Sequence, residues 1–368
     1  MIQSTLRVLV VGAGIAGLAA ARALRLAGFR PEVVERLPAP MPSVEGIFLP
    51  GNADRALRHL ELDGPLRRLG QVIERQRFLD VSGRQLCEVD LGGLWAGVGD
   101  CRALSRSDLH EVLLDGAGGP VRHGVEVYEV RPGRYGVSVV FADGAEETYD
   151  LVVGADGPRS AVRTLAALGG PPRLAGQVAY RGVVDGGPEV RDWVAVLGQR
   201  AGFLVMPMGG GRLYCYADES GTEVPADPLA RLRELFAGYG GPVPGVLDAL
   251  RDVRVAPTDE LDLGRWSHGR VVLVGDAAHA TAPTLSQGAA MAVEDAVVLA
   301  AALRAGESVE EALRAYEVRR RPRAKWVRDR THDRDRTRNV PPALRDPVLR
   351  GRGGRIFQQH YRLLLEPA

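Results

Sequence analysis

Apolar positions first gather at Leu6–Val11 (LRVLVV), a run rich in valine and interrupted by a single arginine. A short run of this kind, without strict alternation, predicts a strand covered on both faces, as in a parallel sheet. It runs into Gly12-Ala13-Gly14-Ile15-Ala16-Gly17, then into Leu18–Leu24, dense in helix formers, with Gly28 where a helix would stop. Glu32–Glu35 (EVVE) returns to strand texture and completes a β-α-β unit of the usual length.

Further along, Val121–Val127 and Val137–Phe141 predict strands, with Ala142-Asp143-Gly144 as a hairpin turn before the stretch ending at Tyr149. Leu151–Gly154 (LVVG) predicts another buried parallel strand. From about Pro171 to Gly264 glycine and proline thicken, and short strand-like pieces occur at Val178–Val184, Val194–Leu197, Phe203–Val205 and Leu213–Tyr216. That texture predicts a second, sheet-based domain. Arg270–Val274 (RVVLV) then restores the texture of the first domain. The last third is helical. Ala289–Leu303 is apolar nearly all round, which predicts burial, and Ser308-Val309-Glu310-Glu311 is a capping box opening a helix with Val309, Ala312, Leu313 and Tyr316 on one face.

Composition narrows the function classes. A hydrophobic fraction of 45% and a charged fraction of 25% are those of an ordinary globular protein. With 47 basic and 46 acidic residues the formal charge is +1, so no global electrostatic case exists for a nucleic-acid or membrane partner. Residues 319–338 carry ten basic and three acidic side chains, read as a solvated helix face in preference to an anionic-partner patch. Cys87, Cys101 and Cys215 form no C-x-x-C, and the histidines show no ligand spacing, so neither a disulfide framework nor a metal site is expected. The chain start lacks signal-peptide texture and no apolar run approaches a membrane span, so a cytoplasmic protein is expected. The chain ends at Ala368, which is compatible with a monomer, but oligomeric state stays open.

The glycine loop carries the first chemistry. Gly12 permits a tight turn out of the strand, Gly14 lets backbone approach a pyrophosphate, and Gly17 lets helix pack on strand. The helix start then offers free N–H groups and partial positive charge to phosphates. Glu35, at the tip of the second strand, is placed to accept hydrogen bonds from an adenosine ribose. Two later segments extend the pattern, each following a strand: Gly154-Ala155-Asp156-Gly157-Pro158-Arg159-Ser160-Ala161-Val162-Arg163, and Gly275-Asp276-Ala277-Ala278-His279-Ala280 leading into Pro283-Thr284-Leu285-Ser286-Gln287-Gly288-Ala289-Ala290.

With these segments the chain resembles the single-component flavoprotein monooxygenases of the para-hydroxybenzoate hydroxylase fold, the class A aromatic hydroxylases. Gly46-Ile47, Arg106 within Leu104–Leu109, and Tyr316-Glu317-x-x-Arg320-x-Pro322 add to the likeness. The resemblance implies an α/β fold: a Rossmann-like FAD-binding domain (1–75, 98–170 and 265–368), a β-sheet substrate domain (76–97 and 171–264), and a long C-terminal helical segment. It implies FAD and NAD(P)H as cofactors and O2 as co-substrate, with oxygen adding at flavin C4a and the hydroperoxide hydroxylating an electron-rich aromatic or polyene-like small molecule. Asp276 would hold the ribityl chain, Arg106 the ribityl-phosphate region, and Asp156 and Gly157 both cofactors, with Arg163 supporting their loop. Arg36, beside Glu35, joins the implied cofactor contacts, as do Gly46 and Ile47. Pro283 would open the loop at the flavin edge, and Gln287, Gly288 and Ala289 would bring helix-start N–H groups to the pyrimidine edge of the isoalloxazine, where reduction places negative charge.

Ser286 departs from the family pattern, which has glycine there; if the position needs positive φ, serine carries a backbone penalty. His279 reads as structural in preference to a catalytic base. Tyr180, Arg181, Met206, Pro207, Tyr214 and Tyr216 are the candidate substrate wall, and strand alternation should turn half of them away. No feature names a general base. A flavin-dependent halogenase is disfavoured because the four tryptophans are isolated and the one lysine, Lys325, lies in the basic tail. A reductase or desaturase of the same fold, and a non-catalytic flavin-binding partner protein, stay as alternatives.

Overall fold

A computed structural model describes residues 6–368 other than Met41, Pro42 and Val44. Its first sheet has six strands in the order Ser267–His268, Val271–Leu273, Leu151–Gly154, Val8–Val11, Glu32–Glu35, Val121–His123. All neighbours are parallel except the short edge strand Ser267–His268. Val8–Val11 is the centre, with Val10 opposite both Val33 and Val153, and every residue of it is buried. That explains why its sequence shows no alternation: both faces are covered.

Helix Ile15–Leu26 crosses over this sheet, burying Leu18, Leu24 and a set of alanines. The alanines keep its surface low enough to lie against helix Gly288–Ala305, itself rich in small side chains. The first helix stops where glycine permits a left-handed residue. Gly28 has φ +96°, its N–H reaches Arg25 O at 3.0 Å, and the Phe29 N–H reaches Leu24 O at 2.9 Å.

The expected strand Val121–Val127 is broken in two. Val121–His123 closes the parallel sheet, Gly124 turns the chain at φ +72°, and Val127–Pro132 begins a separate three-stranded antiparallel sheet with Val137–Phe141 and Glu146–Tyr149. Ala142-Asp143-Gly144 does make the hairpin turn, with Gly144 at φ +86° and Asp143 accepting the Ala145 N–H at 3.0 Å.

The second large sheet has seven strands in the order Arg254–Glu260, Arg173–Asp185, Arg212–Ser220, Ala201–Pro207, Trp193–Leu197, Arg75–Asp80, Gln85–Asp90. All pairings are antiparallel except that of Trp193–Leu197 with Arg75–Asp80. One face carries Val178, Tyr180, Val205, Cys215 and Ala217 into a core closed by helices Pro228–Phe236 and Val243–Ala249. The opposite face carries Phe78, Trp193, Met206 and Tyr214.

Two long helices end the chain. Val309–Asn339 is opened by Ser308, whose hydroxyl accepts the Glu311 N–H at 3.2 Å, while the Glu311 carboxylate reaches back to the Glu307 N–H at 3.1 Å. Pro342–Gln359 lies on strand Gln85–Asp90 of the second sheet, although its sequence position groups it with the nucleotide-binding portion. Glycines permit that contact: a Cβ on Gly353 would sit 2.5 Å from Cys87 Sγ, and one on Gly354 2.6 Å from Glu88 O. Among the described residues no helix is long and apolar enough to cross a membrane.

Candidate active site

A cavity of about 520 Å³ lies between the parallel sheet and the second sheet, within the range of small-molecule sites. At one end it is bordered by Gly14, Ile15 and Ala16, the start of the first helix. The glycines there are required by close approaches. Gly12 has φ +105° and its Cβ would lie 2.6 Å from Ala155 O; a Cβ on Gly17 would lie 1.8 Å from Gly12 O. A Cβ on Gly14 meets nothing within 4 Å, so this backbone faces open space. The N–H groups of Ile15, Ala16 and Gly17 belong to the first helical turn and have no partner within the helix. Gly12 and Gly17 therefore shape the loop from behind, and Gly14 fronts the cavity.

Glu35 does not border the cavity. Its carboxylate accepts the Ala13 N–H at 2.9 Å and the Leu37 N–H at 3.0 Å, bracing the glycine loop and leaving further lone pairs for a ribose. Arg36 is exposed and also lies off the cavity.

Gly46 and Ile47 do border it, as does Arg106. The strand Gly46–Leu49 can approach the second sheet only because residue 46 lacks a side chain: a Cβ there would meet Tyr214 Cγ at 2.4 Å and Met208 Sδ at 2.6 Å. Gly157 lines the cavity with φ +80°, but Asp156 turns away. The Asp156 carboxyl accepts Ser160 Oγ at 2.5 Å and the Val162 N–H at 3.1 Å, capping the helix Ala161–Leu165, and burial pushes its pKa up. Its side chain is taken up by these contacts and stays off the cavity lining, where a cofactor contact was expected. Arg163 is fully buried and ties the two fingerprint loops together, with Nε on Gly170 O at 2.8 Å, Nη2 on Pro158 O at 2.8 Å and Nη1 on Ala277 O at 3.0 Å.

Asp276 borders the cavity with an exposed carboxylate that makes no hydrogen bond or ion pair among the described residues. A Cβ on Gly288 would have only Asp276 Oδ1 within 4 Å, at 3.9 Å, so the aspartate and the next helix start face the same space. Pro283, Ser286, Gly288 and Ala289 line that wall. Ser286 is left-handed, φ 53° and ψ 35°, closing the one-turn segment Pro283–Leu285 through its N–H to Pro283 O at 2.8 Å. The position does need the conformation that glycine adopts most cheaply, and serine holds it.

Gln287 is 1% exposed and faces inward, away from the cavity. Its Oε1 accepts Asn52 Nδ2 at 3.0 Å, and Asn52 Nδ2 also reaches Glu294 Oε1 at 3.0 Å. Behind them is a buried charge cluster. Glu294 receives Arg320 Nη1 at 2.7 Å, and Arg323 Nε and Nη2 at 2.7 and 2.8 Å. Asp295 receives Arg320 Nε at 2.7 Å, His279 Nε2 at 2.6 Å and the Gly275 N–H at 2.8 Å. His279 is thus held to Asp295, its ring 4.9 Å from that of Trp266, as a structural histidine would be.

The arginine-rich segment is not a solvated face. Arg320, Arg323 and Arg334 are buried, and Arg334, Asp335 and Arg338 border the cavity. Arg338 pairs with Asp218, and Thr284 Oγ1 donates to Asp335 at 2.7 Å, linking the loop before Gly288 to this helix. Of the candidate substrate wall, Arg181, Met206, Tyr214 and Tyr216 line the cavity; Tyr180 and Pro207 do not. Alternation is the reason: Tyr180 points into the opposite core, its hydroxyl donating to Glu219 at 2.6 Å. Residue types alone did not single out Phe48, Phe78, Trp193 or Phe357, which complete the aromatic side. Burial raises the Tyr214 and Tyr216 phenols well above their ordinary range, so both are donors at neutral pH.

These features fit an extended dinucleotide: a bare helix start for diphosphate, a free carboxylate for sugar hydroxyls, and a second helix start at the far wall. Residues 5–331 match the family described as FAD binding domain. The chain is 36% identical over 333 residues to aurachin C monooxygenase/isomerase of Stigmatella aurantiaca, covering 88% of this chain and 87% of that protein. It is 33% identical over 330 residues to the FAD-dependent urate hydroxylase of Klebsiella pneumoniae subsp. pneumoniae, covering 86% of each. The crystal structure of Klebsiella pneumoniae HpxO complexed with FAD and uric acid superimposes with a TM-score of 0.88 at 28% identity, over 98% of this chain and 97% of that one. With a family match across most of its length and relatives of this similarity, the chain belongs to the FAD-binding monooxygenases, the class A flavoprotein hydroxylases.

Proposed function

We propose that this enzyme hydroxylates a flat, electron-rich aromatic molecule, held between the FAD ring and the face of the second sheet that carries Phe78, Trp193, Met206 and Tyr214. The observation that carries the reading is the continuity of one cavity from Gly14, past Arg106 and Asp276, to Gly288 and on to those side chains. The N–H groups of Ile15–Gly17 and the Arg106 guanidinium would take the diphosphate, and the Asp276 carboxylate the ribityl hydroxyls. The first-turn N–H groups of Gly288, Ala289 and Ala290 would face the ring edge that gains charge on reduction. Glu35 would accept from the adenosine ribose while bracing Ala13. Bound FAD supplies electron transfer from NAD(P)H and activation of dioxygen.

The chain's own residues do the rest. Aromatic walls exclude water from the oxygen chemistry. Tyr214, held protonated by burial, can donate to a phenol or carbonyl oxygen of the substrate, while the Tyr216 hydroxyl donates to Asp218 Oδ2 at 3.3 Å; Arg181 lies beside both, its guanidinium 5.6 Å from the Tyr216 ring centre. We divide the chain functionally as the sheets divide it, with 76–97 and 171–264 forming the substrate side. A cytoplasmic location, where NAD(P)H is supplied, belongs to the same reading.

The test is oxidation of NADH and NADPH by FAD-loaded protein across a panel of phenols, hydroxyquinolines and purines, with labelled dioxygen. Faster oxidation with one class, and one labelled oxygen atom in its product, supports the reading. Oxidation without label in any product would make the enzyme a reductase or desaturase instead.

A further inference from the structure

Two arginines that line the cavity are buried, and their surroundings differ. Arg345 is satisfied on every side: Nε meets Asp346 at 2.8 Å, and Nη1 and Nη2 meet the carbonyls of Gly198 and Leu197 at 2.6 and 2.9 Å. Arg334 is 7% exposed, yet among the described residues it pairs with no carboxylate. Its guanidinium lies over rings, 4.5 Å from the centre of Phe357, 5.2 Å from Phe78 and 6.0 Å from both Trp193 and Tyr361. Nη1 donates to Tyr361 Oη at 3.1 Å, and Nη2 is buried with no partner.

The neighbours do not supply an anion. Burial, reinforced by the charge of Arg334, pushes His360 down to about 4, so it is neutral near pH 7. Burial pushes the Cys87 thiol up to about 12, so it is no thiolate. On the same helix Asp333 pairs with Arg330 and Arg336, and Asp335 accepts Thr284 Oγ1 at 2.7 Å; neither carboxylate contacts Arg334. Cation–π contacts offset part of the desolvation of a buried guanidinium, but they leave its net charge in place. A cavity wall with an uncompensated cation and an unused donor is complementary to an anion.

We propose that Arg334 is the receptor for a carboxylate on the aromatic substrate, whose ring packs against Phe78, Trp193 and Phe357. A planar carboxylate conjugated to a flat ring suits an aromatic-walled space and a guanidinium edge. A phosphate monoester carries close to two charges, which one free guanidinium would leave half unpaired. This assignment names the substrate class of the chamber and rests on the reading of that chamber as the substrate site.

Binding to FAD-loaded protein tests it, read by calorimetry and by perturbation of the flavin spectrum. The probes are benzoate, 2-aminobenzoate and 4-hydroxybenzoate, each beside its neutral amide. Wild-type protein should bind at least one acid ten-fold or more tighter than its amide. Arg334→Met should remove that preference, leaving amide affinity within two-fold and FAD content unchanged, and Arg334→Lys should restore part of it. Acids bound no tighter than amides by wild type, or a preference that survives in R334M, would overturn the proposal. If R334M does not fold, Arg334→Gln takes its place, and an acid preference undiminished in that variant overturns the proposal. Loss of the monooxygenase reading would show separately, as absent oxygen transfer in a protein that still discriminates acid from amide.

Discussion

Glu294→Gln strikes the charge cluster that props the loop before Gly288. The carboxylate is 2% exposed and receives four hydrogen bonds, from Asn52, from Arg320 and twice from Arg323. Glu294 and Asp295 balance Arg320 and Arg323 charge for charge, so the neutral amide leaves one guanidinium uncompensated. Breaking a buried pair on one side costs about 3–5 kcal/mol. With an unfolding entropy of about 2.1 cal/mol/K per residue, 368 residues give roughly 0.8 kcal/mol/K, so the melting temperature should fall by about 4–6 °C. The amide also presents a donor towards Asn52 Nδ2, loosening the residue that orients Gln287, so FAD affinity should fall as well. The pH dependence gives a second check. Burial pushes the Glu294 pKa up, but Arg320 and Arg323 pull it below its ordinary 4.5, so its stabilisation is present above that value and is lost as pH falls through the lower folded one. The gap between wild type and variant should therefore be constant from about pH 6 to 8 and narrow only below the ordinary carboxylate range. Scanning calorimetry of the apoprotein, with E111Q as the exposed control, measures it. A variant melting within 1 °C of wild type would refute the argument that this cluster is held by charge balance.

Three further perturbations follow from single contacts. Gly17→Ala places a Cβ 1.8 Å from Gly12 O, so the helix must shift from the strand; FAD affinity measured by fluorescence quenching should fall at least ten-fold, and unchanged affinity would mean that the glycine loop does not hold the cofactor. Ser286→Gly relieves a left-handed serine, a strain of about 1–2 kcal/mol, against roughly 0.5–1 kcal/mol of added unfolded-state freedom, so the apoprotein should melt about 1 °C higher; a lower melting point would show that the serine side chain contributes more than its backbone costs. His360, lowered by burial and by Arg334 to about 4 from 6.5, contributes stability that is present above pH 6.5 and lost as pH falls towards 4. In H360Q that part of the acid loss, up to about 3 kcal/mol, should vanish from a series of pH-dependent melts; an unchanged profile would place the loss elsewhere.

The parallel sheet and its glycine loop were legible because the central strands are buried on both faces and Gly12 and Gly17 answer steric needs that only glycine meets. Asp276 and Gly288 were reached through the resemblance to the flavoprotein hydroxylases, and both border the cavity. What sequence did not disclose is direction. Asp156 and Gln287 were placed in the right loops, yet their side chains turn to Ser160 and Asn52, since a short polar side chain finds whichever partner the local backbone offers. Tyr180 and Arg181 are adjacent, and only the strand register decides that the arginine faces the cavity. The arginines of the last third were misread most. A run of charges signals solvent unless partners exist, and the partners of Arg320, Arg323 and Arg338 are Glu294, Asp295 and Asp218, far away in the chain. The helix Pro342–Gln359 gave little signal because its glycines and Pro347 lower helix propensity, while contact with Gln85–Asp90 overrides it.

The most direct test is a crystal structure of the protein grown with FAD. One flavin per chain is expected, with diphosphate at the N–H groups of Ile15–Gly17, ribityl hydroxyls on Asp276, and the ring edge at Gly288 and Ala289. A flavin bound outside this cavity, or one whose ring lies away from the Gly288 helix start, would contradict it.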